Sequence, residues 1–262
     1  MPERLFDSVP LLTVFVAAVV GTLLSIQVGF RVGVHRRRRA EGEAEGPIGS
    51  VVGAMLGLLA LILAFTFGIA SSRFDTRKQL LLEEVNAIET TYLRAGLLPE
   101  PHRSESRRLL RRYVDIRVEL PKDQASLAQG LAESEALQHQ LWSHAVALAR
   151  TDLDSDIGAL YVESLNQVID LHTARVTVSL LQRVPASIWA GLIIVTVLSM
   201  AGVGYQFGIA GRSGFLIQLV LALTFSAIVY LIADLDHPTR GLLKVSQQPM
   251  LELRERLGVQ TE

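Results

Sequence analysis

Asp152, Asp154, Asp156 and Glu163 stand at positions one, three, five and twelve of the spacing that wraps oxygen ligands round a calcium ion. Such a loop needs glycine at position six for its sharp turn, and here that position is Ile157, with Gly158 one place late. The same carboxylates suit a helix start, where free amides and the positive end of the dipole attract negative charge, and this is the favoured reading. Arg103, Arg107, Arg108, Arg111 and Arg112 form a basic run that would draw anions or lipid headgroups if bare. Glu100, Glu105 and Asp115 beside it point to a solvated helix face instead. His139 and His144 are five residues apart, which does not put them on one helical face as zinc ligands. The chain has no cysteine, which excludes disulfides, thiolate metal sites and cysteine nucleophiles. No nucleophile elbow and no glycine-rich phosphate loop can be read, so neither an enzyme nor a cofactor is expected. A net charge of -1 gives no argument for nucleic acid.

The chemistry that remains is passage of ions. At about 100° per residue, Gly49, Gly53, Gly57, Ala60, Ala64 and Gly68 share one narrow helix face, a strip without side-chain bulk. Two uses are open to it. Helices pack closely along small-residue strips in lipid, which makes Gly49, Gly53, Ala60, Ala64 and Gly68 packing candidates. Alternatively the face lines a pore, with Gly57, Leu61 and Phe65 as lining candidates and the last two forming a hydrophobic constriction that gates by dewetting.

These residues need a membrane to act in. Half of the 262 residues are hydrophobic and only 19% are charged, and the apolar ones are gathered into runs. Segments 11–30, 48–70, 186–207 and 215–233 contain no Asp, Glu, Lys or Arg. Each reaches the roughly 20 residues that a helix needs to cross the hydrocarbon core. The first run is too long for a secretory signal, and its basic residues follow it rather than precede it. The expected fold is all-α: a polytopic integral membrane protein with four transmembrane helices and a helical extramembrane domain between the second and third.

The chain then divides into a transmembrane hairpin over 1–70, the helical domain over 71–184, a second hairpin over 185–233 and a tail over 234–262. Residues 35–39, His-Arg-Arg-Arg-Arg, read as part of a short solvated link ending at Pro47. No Gly or Pro interrupts the chain between Ala70 and Gly96, so the second membrane helix should run on into water. Further helices are expected over 104–120, 126–149 and 157–184, and a short amphipathic stretch over 250–257.

The string Phe65-Thr66-Phe67-Gly68-Ile69-Ala70-Ser71-Ser72-Arg73-Phe74 resembles the end of the second transmembrane helix of bestrophins, where a pore-neck Phe precedes an Arg and an aromatic at the mouth. After the fourth span, Asp234-Leu235-Asp236-His237-Pro238 with Gly241 and Pro249-Met250 resembles a bestrophin tail segment, although Thr239 stands where those proteins carry Phe. Glu84-Val85-Asn86-Ala87-Ile88, Tyr92-Leu93-Arg94-Ala95 and Leu109-Leu110-Arg111-Arg112-Tyr113-Val114 are similar to segments of the bacterial bestrophin-like family of unknown function. The resemblance implies a homo-oligomer of five chains with the second helix toward the axis, inorganic anions as the conducted species, and residence in the bacterial inner membrane. It also marks Arg73 and Phe74 as pore-mouth candidates and Asp234, Asp236 and Pro238 as a tail segment.

Arg31 and Arg36 to Arg39 crowd the first link, and the positive-inside rule puts that link in the cytoplasm with both termini outside. Bestrophins imply the reverse, with the termini and the helical domain cytosolic. The expected function is that of an ion channel, with a non-conducting scaffold or sensor as the alternative; the lipid bilayer is the one partner that composition alone requires.

Overall fold

The computed structural model describes residues 10–39, 47–119, 124–151, 155–181, 183–211, 214–237 and 241–259. Eight α-helices follow one another: α1 (Leu11–Arg39), α2 (Ile48–Ala95), α3 (His102–Glu119), α4 (Gln124–Thr151), α5 (Asp156–Val176), α6 (Ala186–Ala210), α7 (Phe215–Asp236) and α8 (Gln248–Val259). Among the described residues there is no strand. Helices α1, α2, α6 and α7 are long and apolar enough to cross a membrane, and the fold is that of a polytopic all-α membrane protein.

Two boundaries differ from the sequence reading. The arginines at 36–39 lie in the last turn of α1 rather than in a loop, because arginine is a good helix former and cations suit the negative end of the helix dipole. Helix α5 stops at Val176 and gives way to a π-helical turn, Thr177–Leu181. The branched run Val176-Thr177-Val178 weakens α-helix there, and Pro185 then caps the start of α6.

The chain folds into two compact units, one of Met1–Phe74 with Arg183–Lys244 and one of Asp75–Gln182 with Val245–Glu262. In the first, α1 and α6 approach until their backbones touch. A Cβ placed on Gly29 would overlap the backbone of Ala201, and one on Gly204 that of Ile26. Gly33 and Gly208 repeat the arrangement one turn on. Two Gly-x-x-x-Gly pairs, 29/33 and 204/208, therefore face each other, the arrangement that lets membrane helices gain dispersion contact where no hydrophobic effect drives them together. Ile26, Leu59, Leu63, Leu192, Met200 and Ile232 fill the rest of that core. Outward, Leu12, Val16, Val20, Leu24, Val28 and Val32 form an exposed stripe four residues apart along α1, as a lipid-facing side requires.

In the second unit the continuation of α2 packs with α3, α4, α5 and α8 round Ile88, Tyr92, Leu110, Tyr113, Leu141 and Leu165. Helix α8 contributes Met250, Leu253 and Leu257, all fully buried, and is pinned by the Arg256 guanidinium on both carboxylate oxygens of Glu89 at 3.0 Å.

Candidate functional site

Helix α2 has two unlike sides in the membrane unit. Val52, Leu59, Leu63, Thr66 and Ala70 are buried, at the seven-, four-, three- and four-residue steps of one helix face. Thr66 satisfies its hydroxyl on the carbonyl of Ile62 at 2.8 Å, and the hydroxyl of Ser199 on α6 donates to the carbonyl of Met55 at 3.3 Å. The small-residue strip lies roughly 120° round the helix from this row. Gly49, Gly53, Gly57, Ala60, Ala64 and Gly68 are all exposed. A Cβ on Gly53, Gly57 or Gly68 would meet nothing within 4 Å, and only at Gly49 does a neighbour, Gln206, come near. Among the described residues the strip is open at Gly53, Gly57 and Gly68, and the close backbone packing is between α1 and α6.

Leu61 and Phe65 adjoin the strip and are 52% and 66% exposed. Gly57, Leu61 and Phe65 thus share one outward face, free of charge over its length. Arg73 and Phe74 are not on it. Phe74 sits about 180° round from Phe65 and packs on the core of the membrane unit, and Arg73 is half-buried about 80° round.

In the tail segment, Asp234 is buried and collects two backbone amides, those of Leu242 and Leu243, at 2.9 Å each. Gly241 makes the turn possible with a φ of 122°, and a Cβ there would strike the Asp234 carboxylate. Asp236 accepts the amide of Val184 at 2.9 Å. Both aspartates work as acceptors that tie the segments before α6 and after α7 to the foot of α7; Pro238 lies outside the described residues.

Sequence spacing gave no hint of the polar cluster at the centre of the second unit. Glu84 of α2 is wholly buried. Its Oε1 accepts from the Tyr113 hydroxyl at 2.8 Å and lies 3.2 Å from Nε of Arg117, and its Oε2 accepts from Arg117 at 3.3 Å and from Arg175. The Tyr113 oxygen is also 3.0 Å from Nδ1 of His172 and 3.5 Å from the side-chain amide of Gln138. Burial alone would raise the Glu84 pKa, but the guanidinium groups of Arg117 and Arg175 outweigh it and hold the carboxyl below the usual range. Burial, then the charge of Arg117, pushes His172 down to about 4, so the imidazole is neutral; its Nε2 is buried without a hydrogen-bond partner among the described residues. Burial and the adjacent Glu84 carboxylate push the Tyr113 phenol well up.

The basic run and the histidines have these partners. Arg103, Arg108 and Arg112 pair with Glu100, Glu105 and Glu133, Arg107 lies 4.8 Å over the Tyr92 ring and Arg111 donates to the Tyr92 hydroxyl. Asp152 and Asp154 lie outside the described residues, while Ser155 caps α5 by accepting the Gly158 amide at 3.2 Å, with Asp156 in the first turn. His144 meets not His139 but His102, Nδ1 to Nδ1 at 3.4 Å. Among the described residues, no three His, Asp or Glu side chains are grouped to hold a metal.

No match is found among curated proteins. The fold is that of a bacterial bestrophin homolog from Klebsiella pneumoniae, with a TM-score of 0.68 at 14% identity over 94% of this chain and 96% of that one. A single-substitution variant of that homolog gives 0.68 at 15% identity over 91% and 97%, and another gives 0.66 at 14% over 94% and 98%. The sequence matches the family described as Bestrophin-like domain over residues 10–250, and with that span and this helix order the chain belongs to the bestrophin-like family.

Proposed function

We propose that the protein is a homo-oligomeric ion channel in which α2 lines a central pathway. The observation that carries the reading is the outward face of α2: among the described residues Gly57 has open space before it and Leu61 and Phe65 are largely exposed, beside a strip too small to fill space. One copy encloses no pathway, so several must turn this face to a shared axis. Five copies and a preference for anions rest on the resemblance to bestrophins. A charge-free neck of this kind conducts when wet and closes when it dries, and Phe65 and Leu61 are the bulk that favours drying.

The test is reconstitution of the full chain into liposomes with anion and cation flux measured separately. Phe65→Ala removes a large apolar group from each subunit and should raise flux with the oligomer intact. Gly57→Leu narrows the same face and should lower it. Because Phe65 is exposed in the single chain, a loss of stability with no flux in either variant means that the face is a contact between copies and that the protein is a scaffold.

A further inference from the structure

Where α1, α2 and α6 end or begin on one side of the membrane unit, a groove of about 400 Å³ opens between Arg36, the first turns of α2 and Tyr205. Its walls are apolar: Ile48, Val51 and Met55 on α2, with Gly202 on α6 leaving the floor low. Among the described residues that line it, the one charged side chain is Arg36, placed roughly 9 Å along the helix axis beyond Phe30, where the charge-free run 11–30 ends, the level of lipid headgroups. Among the described residues Arg36 makes no ion pair. Its neighbour Arg37 is differently engaged, with its guanidinium against Gly211 at the C-terminus of α6, where a cation complements the dipole. The N-terminus of α2 at Ile48 borders the same groove and adds its positive dipole end, and Tyr205 presents the amphipathic ring typical of the interface.

We propose that this groove binds one anionic phospholipid, its phosphate on Arg36 and the first carbons of an acyl chain along Val51 and Met55. The chemistry is a joint requirement. A cation and a helix N-terminus select a phosphate, the apolar wall selects something with a hydrocarbon tail, and the position at the membrane surface supplies molecules that carry both. Val51 and Met55 lie on the side of α2 turned away from the small-residue strip, so the groove stays open to lipid whatever covers that strip. Glu41, Glu43 and Glu45 follow in the sequence, yet the five arginines at 31 and 36–39 leave the segment net positive.

The experiment is native mass spectrometry of the full chain in non-ionic detergent, offered phosphatidylglycerol, phosphatidylcholine or inorganic phosphate. One phosphatidylglycerol per chain should be retained in preference to phosphatidylcholine. Arg36→Gln should lower that occupancy about fivefold, the loss expected of one basic side chain on an anionic surface. Val51→Trp, which obstructs the apolar wall and keeps the charge, should lower it too, whereas Arg150→Gln, the same charge change on α4, should not. Equal retention of the two lipids, or undiminished retention by a folded Arg36→Gln protein, would overturn the proposal. So would inorganic phosphate binding alone and displacing the lipid, since the site would then recognise a free anion.

Discussion

The Tyr113 hydroxyl donates to Oε1 of Glu84 across 2.8 Å, and neither side chain reaches solvent. The bond joins α3 to α2 at the one carboxylate on which two guanidinium groups, from α3 and α5, also converge. Such a cluster is costly to bury and holds only while every member is present, because each remaining charge would otherwise face a low-dielectric interior alone.

Glu84→Gln keeps the shape of the side chain and removes the charge that neutralises Arg117 and Arg175. Stability should fall by about 3 to 5 kcal/mol. Replacing both arginines by Met in the same variant should restore part of the loss, since no unpaired charge is then left inside. Chemical denaturation followed by far-UV circular dichroism would measure both.

Acidification should destabilise the second unit in two stages. His172 has its pKa lowered to about 4 from 6.5, so the unfolded chain takes up a proton first and stability drops as pH falls from 6.5 toward 4, by at most about 3 kcal/mol. Glu84, also lowered, contributes stability that is present above its unfolded value and is lost as pH falls through its folded one. His172→Gln should flatten the first stage and leave the second, as read from melting temperature against pH.

Gly29 and Gly33 of α1 and Gly204 and Gly208 of α6 should be far less tolerant of a side chain than Gly53, Gly57 and Gly68 of α2. Gly204→Ala puts a methyl group into the backbone of Ile26 and should cost about 1 to 3 kcal/mol or prevent assembly of the membrane unit. Gly53→Ala meets nothing among the described residues of the same chain, so a defect it causes points to a contact with another copy. Comparing the melting temperature of each variant as monomer and as assembled species separates the two.

At the foot of α7, Asp234→Asn exchanges a charged acceptor of two amides for a neutral one and should cost about 1.5 to 3 kcal/mol. Gly241→Ala should be worse, with a strained φ and a collision at the carboxylate together. Faster hydrogen exchange at Leu242 and Leu243 in both variants, with the rest of α7 protected, would locate the damage.

The four spans were legible because length and absence of charge are local properties that the bilayer converts directly into helices. The small-residue strip from Gly49 to Gly68 was legible as a strip but not as to what it meets: spacing reveals which side of a helix lacks bulk and leaves the partner open. The same signal at Gly29 and Gly33 and at Gly204 and Gly208 is only one pair long and does not stand out from chance in a sequence with 20 glycines, yet there the backbones touch. Amphipathic spacing marked out the helix over 250–257, while its burial against the second unit depends on a contact made far along the chain. The Glu84 cluster was invisible for a like reason. Its members are drawn from four helices, with Arg175 91 residues from Glu84, and no periodicity within one helix announces a meeting of that kind.

Each unit is built from an early and a late stretch of chain, and this has a consequence for biosynthesis. When the ribosome has delivered α1 to α5, the second unit still lacks Met250, Leu253 and Leu257, and the first still lacks α6, α7 and the amides that Asp234 gathers. The first cannot close before α7 and the segment to Leu243 are made, and the second cannot close before α8, the last helix in chain order. The nascent protein must be held with apolar surface uncovered until translation has passed residue 257, and a stop codon ahead of α8 would leave the water-facing helices open to a chaperone or a protease.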